Sequence, residues 1–420
     1  MREGDCLGFM ASIYEEEKIM KKLFTLGLAA AMAASLAACG GSPDSTANTT
    51  AAGAENNSSA AGNNSGSGEG SFKIGVIGPL TGPAAAYGIA VQNGADLAVK
   101  EINAAGGAGG IMLEANCQDD EHDVQKSVNA YNTLKDWGAQ AIVGSTTSDP
   151  CIAVAAESSN DNMFQITPSG SAVECVAPDH VFRVCFADPD QGTASAIYIG
   201  EHSLATKVAV IYDSSTTYSS GIREAFVKEA ANQGLEIVAD EAFTADNATD
   251  FSVQLDKAKE AGAELVFLPI YYQEASVILK QAKDKDFAPI FFGCDGMDGI
   301  LTVENFDTSL AEGLMLLTPF SPTEESSKAF TEAYVAAYGI EPNQFAADSY
   351  DAVYAIKAAI EKSGVTVDSN YSEMCDAFKT AMTEITIDGL TGTGMTWKAT
   401  GEPDKAPKAV KIVNGVYEMQ

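Results

Sequence analysis

The chain is short of positive charge: 25 lysines and arginines stand against 58 aspartates and glutamates, for a formal net charge of -33. A surface that acidic repels phosphate backbones, so nucleic acid is excluded as a partner. Histidine is scarce as well. His122, His180 and His202 are scattered and fit neither HExxH nor any other metal-ligand spacing, so no metal is expected. There is no GxSxG elbow and no Walker A loop. The segment Gly75–Gly82, GVIGPLTG, is not a GxGxxG dinucleotide loop. These absences leave no cofactor and no catalytic constellation, and the chain does not read as an enzyme. Its eight cysteines form no CxxC pair, which disfavours structural zinc and thioredoxin-like chemistry. Apart from Cys6 and Cys39, the six that remain (Cys117, Cys151, Cys175, Cys185, Cys294 and Cys375) leave their pairing open.

What is present begins with an export signal. From Met20 the sequence reads MKKLFTLGLAAAMAASLAACGGS. Lys21 and Lys22 precede an apolar run, Leu23 to Leu36, that is too short to span a bilayer. Small residues then lead to Cys39. The tetrapeptide LAAC, Leu36 to Cys39, resembles the lipobox of bacterial lipoproteins, which implies cleavage before Cys39 and diacylation of its thiol. Residues 1–38 are therefore an N-terminal extension and signal peptide. Residues 39–71 are a lipidated cysteine and a tether of Ser, Asn, Gly, Ala and Thr, with too little apolar surface to fold.

From Phe72 onward, strand and helix patterns alternate. Phe72–Gly78, Ile111–Cys117, Ala139–Gly144, Met163–Thr167 and Val181–Phe186 read as strands. Between them, Ala90, Gly94, Leu97, Ala98 and Ile102 mark one helix, and Val124, Val128, Tyr131 and Leu134 a second. A third helix starts near Pro150. The rhythm restarts at Lys207–Tyr212 and runs to a strand at Leu314–Leu317. Three helices follow, then strands near Met395–Lys398 and Ala409–Met419, the latter folded at Asn414-Gly415. Two such runs predict an α/β protein with two lobes, each built on a parallel sheet. With 46% hydrophobic residues, 420 residues suffice for both cores.

IGPLTGPAAAYG (Ile77–Gly88), ADLAVKEINAAGG (Ala95–Gly107), AIVGSTTS (Ala141–Ser148), QITPSGS (Gln165–Ser171), KVAVIYDSSTTYSSG (Lys207–Gly221) and FFGCDG (Phe291–Gly296) occur in that order. Together they resemble the leucine/isoleucine/valine-binding protein family, the type I periplasmic-binding fold. The resemblance implies two Rossmann-like lobes joined by three crossovers: 72–188 plus 321–387, and 189–320 plus 388–420. It also implies a ligand in the cleft, delivery to the permease subunits of an ABC importer, and a location outside the cytoplasm, with the lipid anchor as the only membrane contact. A sensory receptor of the same fold, for an amide- or urea-like ligand, is the alternative.

The candidate binding residues all follow strand ends, where open α/β sheets hold ligands. Gly144–Ser148 leaves a strand and enters a helix, so free N–H groups and the helix dipole there favour an anion. The Ser148 hydroxyl adds a donor. By the resemblance this is the ligand's α-carboxylate site, with a Ser169 carbonyl and the Ser171 hydroxyl and amide alongside. Asp295 then supplies a carboxylate for an α-ammonium, where the family more often has Glu. Tyr87, Tyr218 and Tyr271 match the cleft aromatics, with Tyr272 and Phe345 as neighbours that could share the role. His122 and Thr147 stand where the family often carries a disulfide.

Overall fold

The computed structural model describes residues 70–420. The signal segment, Cys39 and tether residues 40–69 lie outside them. The first run is β1 (Ser71–Gly78), α1 (Ala85–Ala104), β2 (Met112–Asp119), α2 (Val124–Trp137), β3 (Ala141–Val143), α3 (Ser148–Asp161), β4 (Gln165–Thr167) and β5 (Val181–Arg183). These strands form one five-stranded sheet in the order β2-β1-β3-β4-β5, parallel throughout.

The second run is α4 (Asp188–Glu201), β6 (Lys207–Asp213), α5 (Thr217–Ala230), β7 (Glu236–Phe243), α6 (Ser252–Glu260), β8 (Leu265–Leu268), α7 (Tyr272–Asp284), β9 (Ile290–Gly293) and β10 (Met315–Thr318). The chain then makes α8 (Lys328–Tyr338), α9 (Gln344–Ser363) and α10 (Tyr371–Met382), and finishes with β11 (Lys408–Val413) and β12 (Val416–Met419). The second sheet runs β12-β11-β10-β9-β8-β6-β7, with β11 and β12 antiparallel to their neighbours. Each parallel order reverses beside its first strand, β1 or β6, and such a switch point opens a crevice at the strands' carboxyl ends.

Local sequence accounts for the element ends. Asp123 caps α2 by accepting from the Lys126 N–H, and Gly138 closes that helix in the left-handed conformation. Asn414 and Gly415 both have positive φ, as a two-residue hairpin requires. In the first lobe α9 packs on α1, the two backbones meeting at Gly94. A Cβ there would sit 2.1 Å from the Ala346 carbonyl oxygen. In the second lobe Phe226 stacks on Phe267 at 3.9 Å over buried Val208 and Val210. Each such buried side chain contributes roughly 1.5–3 kcal/mol.

Three expectations are corrected. Helix α3 begins at Ser148, so Pro150 is its third residue and not its first. A proline is tolerated anywhere in the first turn, whose N–H groups need no helical partner. The expected strand near Met395–Lys398 is only a pair of isolated bridges, Ile387 to Met395 and Trp397 to Pro403. Residues 388–403 also lie on the first lobe, not the second. Trp397 Nε1 donates to the Arg183 carbonyl at 2.8 Å, and the Arg183 N–H donates to the Gly401 carbonyl at 3.0 Å. The Asp351 carboxylate of α9 accepts from the N–H groups of Leu390 and Thr391. The third crossover therefore falls just before β11. Lys405, held there by the buried Asp348 of α9 at 3.2 Å, marks it.

Candidate functional site

The start of α3 is built to receive a negative charge. Its N-cap residue, Thr147, gives no side-chain cap, because Thr147 Oγ1 pairs with His122 Nδ1 at 2.8 Å. The first N–H groups of the helix therefore stay uncapped. Gly144, which leads into this turn, has φ of 135°, and a Cβ there would meet the Ile77 carbonyl oxygen at 2.4 Å. Ser148 is buried, and its Oγ accepts from the N–H groups of Ser171 and Ala172 at 3.2 Å each. Its own proton remains free to donate.

The loop after β4 is shaped by a residue that sequence reasoning missed. Arg183 is fully buried at the end of β5. Its guanidinium donates to the Gly170 carbonyl at 3.2 Å, to the Ala172 carbonyl at 2.9 Å, and to the Ser171 carbonyl. Its Nε lies 3.2 Å from Glu402 Oε2, an ion-pair contact that lacks hydrogen-bond alignment. Only a planar fork with several donors can gather three carbonyls in this way. The result fixes Ser171 and Ala172 against Ser148. Ser171 Oγ is buried without an aligned partner.

Across the cleft, Asp295 follows β9 and is buried. Its Oδ1 accepts from the Tyr218 hydroxyl at 2.6 Å and from the Gly296 N–H at 2.7 Å. Burial pushes its carboxyl up to about 6. Asp188, at the start of α4, is buried with both carboxylate oxygens unpartnered, and burial raises its pKa well above the ordinary range. Tyr87 from α1 donates to the Gly296 carbonyl at 2.6 Å. Phe345 stacks on it at 4.2 Å, and the Tyr271 edge meets it at 5.4 Å.

Tyr87, Ser169, Tyr218, Tyr271 and Asp295 line one small cavity of ≈ 10 Å³ together with Thr146, Thr147, Gly296 and Phe345. Ser148 and Ser171 do not line it; they are joined to each other by the Ser171 N–H bond to Ser148 Oγ, next in sequence to the lining residue Thr147 and two residues past Ser169. Of the two adjacent tyrosines, Tyr271 faces this cavity. Tyr272 turns away and accepts the Ala86 N–H through its hydroxyl at 3.2 Å. Asp149 is taken up by a contact between the lobes, accepting from Thr217 Oγ1 at 2.5 Å. The lobes are thus shut on each other. Of the larger openings, the one of ≈ 740 Å³ beside Glu174 and Thr217 is lined in part by Asp188, while the one of ≈ 620 Å³ beside Ile89 and Val416 shares no residue with this site. All six cysteines among the described residues are free thiols.

Two α/β lobes that close on a polar pocket at their strand ends define a solute-capturing protein. The family model described as periplasmic binding protein matches residues 71–415, and the chain belongs to that family. Among relatives, the chain is 32% identical over 300 residues to Leu/Ile/Val-binding protein homolog 3 of Brucella melitensis, covering 70% of this chain and 80% of that one. It is 29% identical to the leucine-, isoleucine-, valine-, threonine- and alanine-binding protein of Pseudomonas aeruginosa, over 70% of this chain and 79% of that one. Among solved structures, the branched-chain amino acid transporter substrate-binding protein LivJ of Streptococcus pneumoniae, in complex with isoleucine, superposes with a TM-score of 0.76 at 31% identity. It covers 83% of this chain and 98% of that one. Family membership places the chain's work outside the cytoplasm.

Proposed function

We propose that the cleft captures a free α-amino acid and that the loaded protein delivers it to the permease of an ABC importer, with Cys39 lipidated as its membrane anchor. One arrangement carries this reading: an uncapped helix start with Ser148 and Ser171 at one end, and the Asp295 carboxylate at the other. An α-carboxylate fits the first and an α-ammonium the second. The bound isoleucine in the LivJ structure supports the same ligand class.

The ≈ 10 Å³ left in the closed site is about the space of one water. An amino acid therefore enters only if the lobes part and the Tyr218–Asp295 bond yields. The test is a thermal-shift panel on the ligand-free protein. A ligand at 100 times its dissociation constant adds about 2.7 kcal/mol of stability. At least one α-amino acid shifts the transition, while its keto-acid and amine analogues do not. A shift produced by keto acids, urea or sugars but by no amino acid would refute the proposal.

A further inference from the structure

The reading above assigns the ligand's two backbone charges and leaves its side chain open. A second cavity, ≈ 120 Å³, adjoins the ammonium end of the site and shares the rings of Tyr218 and Tyr271 with it. Phe243 and Ile270 give it apolar walls. Besides the two tyrosines, its polar lining is His122 on the first lobe and Asp213, Thr216, Ser219 and Glu274 on the second, and no lysine or arginine lines it.

The charges in this compartment do not balance. Glu274 Oε2 is closed off from solvent with no hydrogen-bond partner. Burial raises the Glu274 carboxyl, and Asp213 nearby raises it further. Asp213 Oδ1 accepts from the Ser215 N–H at 2.8 Å and from its hydroxyl at 2.5 Å, both neutral donors. Burial lowers the pKa of His122, so the ring is held neutral against Thr147. Asp149, which also bears on His122, is another acid. An aliphatic side chain placed here would leave the shielded Glu274 Oε2 without a partner, at a cost.

We infer that this compartment receives the cationic end of the ligand's side chain, so that the substrate class is a basic amino acid of the lysine or ornithine kind. The proposal rests on the amino-acid reading of the adjoining site. A chain leaving the α-carbon between Asp295 and Ser148 runs along Tyr271 and ends between Glu274 and Asp213. At ≈ 120 Å³ against ≈ 10 Å³ in the site itself, the compartment has room for the four heavy atoms that a lysine carries beyond its β-carbon. A side chain in that place touches His122 from one lobe and Glu274 from the other, and so ties closure to its charge.

Calorimetry on the protein freed of ligand by unfolding and refolding decides the matter, with lysine, ornithine, glutamine, leucine and norleucine as probes. Lysine or ornithine is expected to bind at least about thirtyfold more tightly than norleucine, which has the same length without the charge. Glu274→Gln is expected to shrink that ratio by about tenfold. Leucine, norleucine or glutamine binding as tightly as lysine would overturn the inference while leaving the amino-acid reading intact. If none of the probes nor any other amino acid binds, both fail. Should Glu274→Gln not fold, the wild-type ratio of lysine to norleucine decides alone.

Discussion

The Tyr218 hydroxyl donates to Asp295 Oδ1 at 2.6 Å, and the same hydroxyl accepts from the Gly296 N–H at 3.0 Å. Tyr218 thus holds the carboxylate in place, and under the proposed function it takes the contact that a ligand ammonium would make. If the ammonium takes over that contact in a dry cleft, Asp295→Ala leaves it unpaired. Losing one partner of a buried charge pair costs on the order of 2–5 kcal/mol. At about 1.4 kcal/mol per decade, affinity should fall roughly 30- to several-thousand-fold in calorimetry. A loss of less than about threefold would show that Asp295 does not bear the ammonium.

Arg183 acts at one remove from the ligand. Arg183→Lys keeps the charge but cannot reach the Gly170, Ser171 and Ala172 carbonyls together. Destabilisation on the order of 2–4 kcal/mol is expected from the stranded carbonyls. The Ser169–Ser171 turn should loosen as well, weakening ligand binding even at temperatures where the variant is fully folded. Denaturant titration and binding isotherms measure the two effects separately. Unchanged binding in the folded variant would reduce Arg183 to a core residue.

The buried acids set opposite pH trends for stability and binding. Burial pushes Asp120, Asp295 and Asp298 up to about 6 and Asp348 up to about 7. In the unfolded chain such groups titrate near 4. Between these values the folded form holds more protons. Their contribution to stability is therefore full at the acid end of this window and is lost as pH rises through the folded values. The ligand-free protein should melt at a higher temperature near pH 5 than near pH 7.5, with a flatter trend in Asp295→Asn. Ligand affinity should instead weaken as pH falls through about 6, because the ammonium needs the ionised carboxylate. Equal melting temperatures at the two pH values would contradict the first trend.

Gly94 is where helices α1 and α9 touch. With the Ala346 carbonyl oxygen 2.1 Å from an added Cβ, and backbone on both sides, Gly94→Ala has no flexible neighbour to displace. Destabilisation of about 1–3 kcal/mol is expected from denaturant unfolding. A neutral effect would mean the two helices slide apart freely.

The anchor is checked on whole cells. Cys39→Ser should leave the protein unacylated and recovered in the soluble extracytoplasmic fraction. Full retention in the membrane fraction would remove the lipid anchor from the proposal.

By itself the sequence determined the α/β rhythm and the places where strands end. Those signals are local: apolar runs of strand length, 3.6-residue periodicity in the helices, and stops at Gly138 and Asn414-Gly415. Because ligands gather at strand ends, Ser148 and Asp295 could be named as candidates from their positions, whereas Tyr87, Ser169, Ser171, Tyr218 and Tyr271 were named through the family resemblance. Other features exist only through contacts distant in the chain. Nothing in the sequence around Arg183 shows that its guanidinium turns back to collect three carbonyls. The Asp149–Thr217 contact between lobes and the return of 388–403 to the first lobe are likewise decided by packing and hydrogen bonding across the fold. The same is true of the compartment that joins His122, Asp213 and Glu274, because a cavity's shape and net charge depend on which surfaces close over it.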